Sequence, residues 1–262
     1  MMNVPFRLGT TSFIHPGGWA FNVERLAGRV EDVEILFFES DGLPGADEAR
    51  HLAEHKARTG ITYSLHTPLD ASLASANESR RQASVSSVRR ALEVAIPFRP
   101  EVAIVHVYLG EHEHDPNIPS DLDAWRARAR LSLESILASG IAPRDLCVEV
   151  LDYDFALIEP VIVDLGLSVA LDVGHLVRDG ADELALLRRH LHRTRVIQWH
   201  GLDPMGRDHR GLQYYPRDRA RMLIDTLFAE GYDGVLTLEV FREADLDVSL
   251  AIVTSLLEDR PS

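Results

Sequence analysis

Apolar stretches of strand length recur along the whole chain, each followed by polar turn residues and then by a segment with helical spacing of its apolar positions. This pattern predicts strands over residues 6–13, 33–39, 62–67, 102–109, 146–151, 168–173, 195–200 and 234–241. Helices are expected between them over 46–59, 75–97, 122–138, 155–165, 181–192, 218–230 and 244–257, with only a short connection over 22–30. Alternating strand and helix implies parallel strands joined by right-handed crossovers. Runs such as AIVHVYL, LCVEV and SVALDV are apolar on both faces, which suits a parallel sheet covered by helices. An open doubly wound sheet usually has fewer strands and a glycine-rich first turn, and LGTTSFIHPGG is not a GxGxxG turn. The expected fold is one α/β domain over 1–262, a closed (β/α)8 TIM barrel, an architecture that typically takes about 250 residues.

Chemistry in such a barrel collects at the C-terminal ends of the strands. The third predicted strand ends in His66, the fourth carries His106 and the fifth carries Glu149. The sixth ends in Asp172 with His175 three residues on, the seventh ends in His200, and the eighth carries Glu239. A lone histidine at a strand end is ordinarily a hydrogen-bonded core or rim residue; six successive strands each delivering a metal-type ligand is a different observation. Because these strands are otherwise apolar, an inward Glu149 or Glu239 is costly unless a cation compensates it. Imidazole and carboxylate together favour Zn, Mn or Fe over Mg or Ca, and the single cysteine, Cys147, leaves no thiolate set for a structural zinc.

Composition narrows the partners. Hydrophobic residues make up 45% and charged residues 26%, ordinary for a globular protein. Asp plus Glu total 41 against 27 Lys plus Arg, a formal net charge of −14 with one lysine, Lys56. Such a surface repels phosphate backbones, so nucleic acid is not expected as a partner. One cysteine fits a reducing compartment, and the opening MMNVPFRLGT lacks a targeting pattern, so a cytoplasmic protein with no membrane partner is expected. EHEHDPNIP, with His112 and His114, reads as a long surface loop after the fourth strand. Trp19, Phe21, Trp199, Tyr214 and Tyr215 are candidates to line an apolar mouth, though aromatics near barrel rims are common packing residues. Glu39, Asp70, Tyr108 and Arg242 lie near strand ends, where each either supports the site and its substrate or serves a bland role: Glu39 and Asp70 capping turns, Arg242 pairing with Glu243 or Asp245.

With these residues in view, nearly the whole chain resembles the xylose isomerase-like barrel superfamily, which includes endonuclease IV and many sugar isomerases and epimerases. In its isomerases and epimerases one metal is held by Glu, Asp, His and Glu on strands 5 to 8, a set matched by Glu149, Asp172, His200 and Glu239. In the endonuclease IV type, histidines on strands 3 and 4 add a second metal sharing the strand 5 glutamate, matched by His66 in SLHTPLD and His106 in IVHVYLG. A D-x-x-H on strand 6 serves a third metal there, matched by His175 in LDVGH, together with an Asp-x-His pair after strand 7. This chain departs from that pair, since Asp208 and His209 in GRDHRGL are adjacent.

FRLGTTSFIHPGGWAFNVERLAGRVEDVEILFFE, YSLHTPLDASL, the LDVGH box, the DH pair and the closing TLEVF resemble the cobamide remodelling phosphodiesterases (CbiR). That resemblance implies a small-molecule corrinoid substrate and two or three divalent metals. The implied reaction hydrolyses an adenosylcobamide to adenosylcobinamide phosphate and the α-riboside of its lower ligand. It further implies Glu149 and Glu239 as catalytic carboxylates, with Glu149 bridging two metals. A one-metal sugar isomerase or epimerase using Glu149 and Glu239 as its acid/base pair is the alternative, and it gives no reason for His66 and His106. A metal-binding corrinoid carrier without catalysis is a third reading, opposed by the open site expected of two shared metals.

Overall fold

A computed structural model describes residues 4–40 and 45–259. Eight parallel strands close into a barrel in chain order, β1 (Arg7–Thr11), β2 (Asp32–Leu36), β3 (Thr62–His66), β4 (Val102–Val105), β5 (Leu146–Glu149), β6 (Ser168–Asp172), β7 (Thr194–Trp199) and β8 (Val235–Leu238). β8 pairs back onto β1 with Arg7 opposite Val235, so no edge is left unpaired. The expected fold class is therefore the observed one. Most strands are shorter than the apolar runs suggested, because beyond the ladder the same chain turns outward to build the loops over the C-terminal mouth. His106, Tyr108 and Glu239, for example, follow the ends of β4 and β8 rather than lying within them.

The helices are α1 (Trp19–Leu26), α2 (Ala46–Thr59), α3 (Glu78–Ala95), α4 (Leu122–Leu137), α5 (Glu159–Leu165), α6 (Val173–Arg178), α7 (Glu183–His190), α8 (Arg217–Ala229) and α9 (Glu243–Glu258). Among the described residues none is long and apolar enough to cross a membrane. Three of them differ from expectation. α1 occupies part of what was read as a short connection, burying Trp19, Val23 and Leu26 on one face. α6 begins directly after β6 because the Asp172 side chain accepts the His175 N–H at 2.7 Å, capping the helix. The expected helix over 155–165 is split: a 3-10 turn, Phe155–Leu157, precedes α5, whose second residue is Pro160.

Two layers of core follow from the period-two alternation of the strands. Outward residues such as Val33, Ile35, Leu65, Val148 and Leu171 pack against the helices. Inward residues Val102, Ile104, Cys147, Ala170 and Val196 form a separate apolar cluster filling one side of the lumen. The other side is polar: buried Asp32 accepts the hydroxyls of Thr62 and Ser64 at 2.6 and 2.7 Å. Moving up the same inward columns, the next side chains are Glu34, His66, His106, Glu149, Asp172 and Glu239. The alternation that packs the lumen thus also aims the metal-type residues at one axis.

Candidate metal centre

His66 and His106 both point Nε2 at one oxygen of Glu149, Oε2, at 3.1 and 2.9 Å. The other nitrogen of each ring has its own partner. His66 Nδ1–H donates to the Thr67 carbonyl at 3.0 Å. The Tyr108 hydroxyl donates to the Leu69 carbonyl at 2.7 Å, so it accepts from His106 Nδ1–H at 2.6 Å. With Nδ1–H of each ring engaged in this way, Nε2 is the nitrogen left facing the shared carboxylate, and it is the atom each ring would offer to a metal. Tyr108 is thus a positioning residue for His106, and it also lines the cavity over the centre. Tyr108→Phe should leave the fold intact and weaken metal retention about 10- to 100-fold, the usual cost of losing the partner of a ligating histidine; titration with a chelator measures it.

A second group faces the first across the axis. One ligand atom each from Asp172, His200 and Glu239 lies within 4.8 Å of the others, and the same holds for Glu149, Asp172 and His175, and for His175, His200 and His209. Four buried atoms here, Asp172 Oδ2, His175 Nδ1, His200 Nε2 and Glu239 Oε2, have no hydrogen-bond partner among the described residues. Asp172 does approach His175 Nδ1 at 3.1 Å and His200 Nε2 at 3.4 Å, but without hydrogen-bonding alignment. Orphaned polar atoms are rare in a buried setting, and these converge from four separate chain positions, which is what a cation site looks like in its protein part.

The charges say the same. Burial pushes Glu149 up, but His106 and His66 outweigh it and hold the carboxyl well below the usual range. Asp172 is likewise driven down, with His175 and His200 overcoming its burial. Glu239 is pushed far up by burial and by the neighbouring charges of Asp172, Glu34 and Glu149. Glu34 is pushed up to about 7, chiefly by burial. Four buried carboxyl groups cannot all ionise together without added positive charge, and divalent cations held by the donor set described above would supply it. Burial also lowers His209 to about 4, reinforced by the charge of His200, which keeps this ring neutral and free to coordinate.

His209 reaches the site by an excursion of the chain after β7. Gly201 and Arg210 pair backbone to backbone, with Gly201 N to Arg210 O at 2.7 Å, while Asp203 ties the turn by accepting the N–H groups of Met205 and Arg207. His209 sits at φ 51°, its N–H on His200 Nδ1 at 3.0 Å and its Nε2 3.3 Å from His175 Nε2. Asp208 lies further out: its Oδ2 is 3.7 Å from His175 Nε2 and accepts from Arg178 at 3.0 Å. The adjacent pair thus turns its histidine into the ligand cluster and leaves its aspartate at the edge.

Gly174 is required by close approach. A Cβ there would fall 2.3 Å from Cε1 and Nε2 of His200. Gly174→Ala should therefore displace the His200 ring and cut bound metal while leaving far-ultraviolet circular dichroism unchanged; elemental analysis of the purified variant checks it.

The centre lies at the bottom of a cavity of about 350 Å³ lined by Leu36, Phe38, Leu69, His112, Glu113, Arg178, Phe241 and the ligand cluster. A larger groove of about 590 Å³ opens at the opposite, N-terminal end of the barrel, bordered by Val4, Phe6, Gly28, Ile61 and Leu257, and contains none of the metal-type clusters.

Several sequence expectations for the mouth are corrected. Trp19 is buried, its ring 4.8 Å from Phe37 and 6.2 Å from Phe98, so it packs α1 onto the barrel. Trp199 and Tyr215 stack edge-on outside the lumen, with the Tyr215 hydroxyl on Glu183. Phe21, Tyr214 and Arg242 are exposed and do not line the cavity. Glu243 and Asp245, offered as partners for Arg242, face Arg29 and Arg210 instead. Asp70 holds a turn by accepting from the N–H and hydroxyl of Ser40, and Glu39 is exposed outside the cavity. The loop with His112 and His114 is exposed as expected, but it borders the cavity through His112 and Glu113.

The aromatic rim is built instead from Phe13, Phe38 and Phe241, with ring centroids 4.4 Å apart for Phe13 and Phe38 and 6.1 Å for Phe38 and Phe241. Phe13 and Phe38 remain 37% and 39% exposed, unusual for large apolar side chains beside a polar cleft. Glu34, buried under His66 and held by Gln198 at 3.3 Å, was also overlooked. Its signal was present: in DVEIL the polar residues alternate with Val33 and Ile35, so Glu34 shares the inward face.

The family model described as xylose isomerase-like TIM barrel matches residues 27–256, and the chain belongs to that family. Among solved structures, a D-tagatose 3-epimerase-like protein is 19% identical with a TM-score of 0.77, covering 97% of each chain. Endonuclease IV from Thermus thermophilus is 19% identical with a TM-score of 0.73, covering 97% of this chain and 100% of its own. D-psicose 3-epimerase from Clostridium cellulolyticum is 15% identical with a TM-score of 0.72, covering 96% and 98%. No significant match was found among curated protein sequences. These likenesses bear on the fold; the chemistry rests on the side chains.

Proposed function

We propose that the protein is a metal-dependent phosphodiesterase whose substrate is the phosphodiester of a cobamide, cut to cobinamide phosphate and an α-riboside. The observation that carries the first half of this reading is the convergence of His66 and His106 on Glu149 Oε2, at 3.1 and 2.9 Å. It adds a second ligand set, through a shared carboxylate, to the Asp172, His200 and Glu239 group. Divalent ions held by these residues would supply Lewis acidity and an activated water for in-line displacement at phosphorus. Glu149 belongs to both ligand groups, with Glu239 in the second. His175 and His209 hold the mouth-side edge of the centre, and Tyr108 keeps the His106 lone pair aimed inward.

The corrinoid half of the reading rests on the resemblance of the strand-end motifs, and on charge and shape. A chain of net charge −14 is poorly suited to follow a polynucleotide backbone, whereas a substrate with one phosphodiester needs no such grip. A cavity of about 350 Å³ accommodates the diester and a riboside, and leaves a larger planar group outside against Phe13, Phe38 and Phe241. The test is incubation of the metal-loaded protein with adenosylcobalamin, followed by chromatography for cobinamide phosphate and α-ribazole, beside a chelator-treated sample. Metal-dependent release of both supports the reading, and no release overturns the corrinoid substrate.

A one-metal sugar epimerase is the second reading. It is favoured by the presence of both Glu149 and Glu239 in the wall of one cavity, a carboxyl pair suited to exchanging a proton with a ketose, and by the epimerases among the similar folds. It assigns no task to His66 or His106.

A further inference from the structure

α6 presents a second functional group besides His175. Three residues on, and hence on the same helical face, Arg178 reaches the wall of the metal cavity. Among the described residues lining that cavity, the carboxylates are Glu113, Glu149, Asp208 and Glu239, and Arg178 is the one lysine or arginine. Its guanidinium fork is fully engaged. Nε and Nη2 donate to the two oxygens of Asp179 at 2.8 and 3.0 Å, Nη1 donates to Asp208 at 3.0 Å, and Nη2 donates to Glu113 at 2.6 Å.

These three acids are not equivalent. Asp179 is the adjacent residue in the chain, and Asp208 is tied to the ligand cluster through His175 at 3.7 Å. Glu113 comes from elsewhere, on the extended stretch between β4 and α4 that contains no helix or strand, next to His114 at φ 56°. Its carboxylate enters from the mouth, on the side from which a substrate would arrive. A carboxylate and a phosphodiester present the same feature to a guanidinium: paired anionic oxygens that accept a planar fork of N–H donors.

We infer that Arg178 grips the phosphoryl anion of the substrate, and that Glu113 is a stand-in anion occupying the guanidinium until substrate displaces it. The inference rests on the phosphodiesterase reading and adds a specificity-determining residue to it: a charged fork beside the metal centre selects an anionic diester over a neutral ketose.

The experiment is steady-state hydrolysis of bis(p-nitrophenyl) phosphate by the metal-loaded protein, with dimethyl phosphate as competing anion, for wild type, R178Q, R178K and E113Q. Bound metal is measured for each. R178Q should raise KM and weaken dimethyl phosphate inhibition by about tenfold or more, as expected for losing charge-assisted hydrogen bonds to an anion. R178K should fall between. E113Q should shift both quantities the other way, lowering KM several-fold with metal content unchanged. Opposite signs distinguish this role from a salt bridge that only pins loops, which predicts impairment from both changes. E113Q carries the test even where R178Q fails to fold. An E113Q variant with unchanged or raised KM, or an R178Q variant with wild-type KM, overturns the inference and leaves the phosphodiesterase reading standing. A metal-loaded wild type that neither cleaves the diester nor binds dimethyl phosphate, yet epimerises ketoses, overturns the reading and the inference with it.

Discussion

Glu149→Gln should remove more metal than any other single substitution in the protein and lower diester hydrolysis by about a hundred- to a thousandfold, the scale seen when a group stabilising transition-state charge is lost. The reason is geometric. One oxygen of Glu149 receives both His66 and His106, and the same carboxylate belongs to the group with Asp172 and His175. A neutral amide there takes charge from the His66–His106 side and the Asp172 side at once, whereas His200 belongs only to sets on the Asp172 side. The substitution is nearly isosteric within a fully packed lumen, so circular dichroism and the cooperativity of unfolding should be unchanged. Elemental analysis of wild type, E149Q and H200A side by side measures this; equal metal loss in the last two would show that Glu149 does not bridge.

The second large effect is expected at His66. His66→Ala should abolish diester hydrolysis while the barrel and the Asp172, His200 and Glu239 group stay in place, because His66 contributes to the centre only through Nε2 and its Nδ1 bond to Thr67. The small cavity left at the top of the lumen adjoins polar groups and can admit water, which limits the cost to stability. Hydrolysis rates and metal content of H66A, set against Asp172→Ala as a control for complete loss of the centre, give the answer. Retained hydrolysis would remove the β3 histidine from the site and return the protein to a one-metal chemistry.

What the sequence made legible was decided by periodicity. All eight strands follow from the recurring apolar runs between helical segments, and His66, Glu149 and Asp172 follow from their places at the C-terminal ends of those runs. The misreadings lie where that rule stops. Phe38 and Phe241 were absorbed into predicted strands as apolar positions, yet the chain has already left the ladder there and their rings form the cavity rim. Trp19 and Trp199 look like mouth aromatics by composition, but α1 and the outer face of β7 bury them. Asp208 and His209 are adjacent in sequence, and only the turn built around Asp203 and the left-handed backbone of His209 separates their directions. Arg178 was silent because its significance depends on Glu113, 65 residues away.

Whether paired metals held by six strand ends cleave a phosphodiester is decided by adding divalent metal stepwise to chelator-treated protein. Bis(p-nitrophenyl) phosphate hydrolysis is followed at each step, beside interconversion of D-psicose and D-fructose. The account predicts that diester hydrolysis stays low through the first equivalent, rises with the second, and is accompanied by no ketose conversion. Full ketose conversion at one equivalent, with no diester hydrolysis at any metal content, would contradict it.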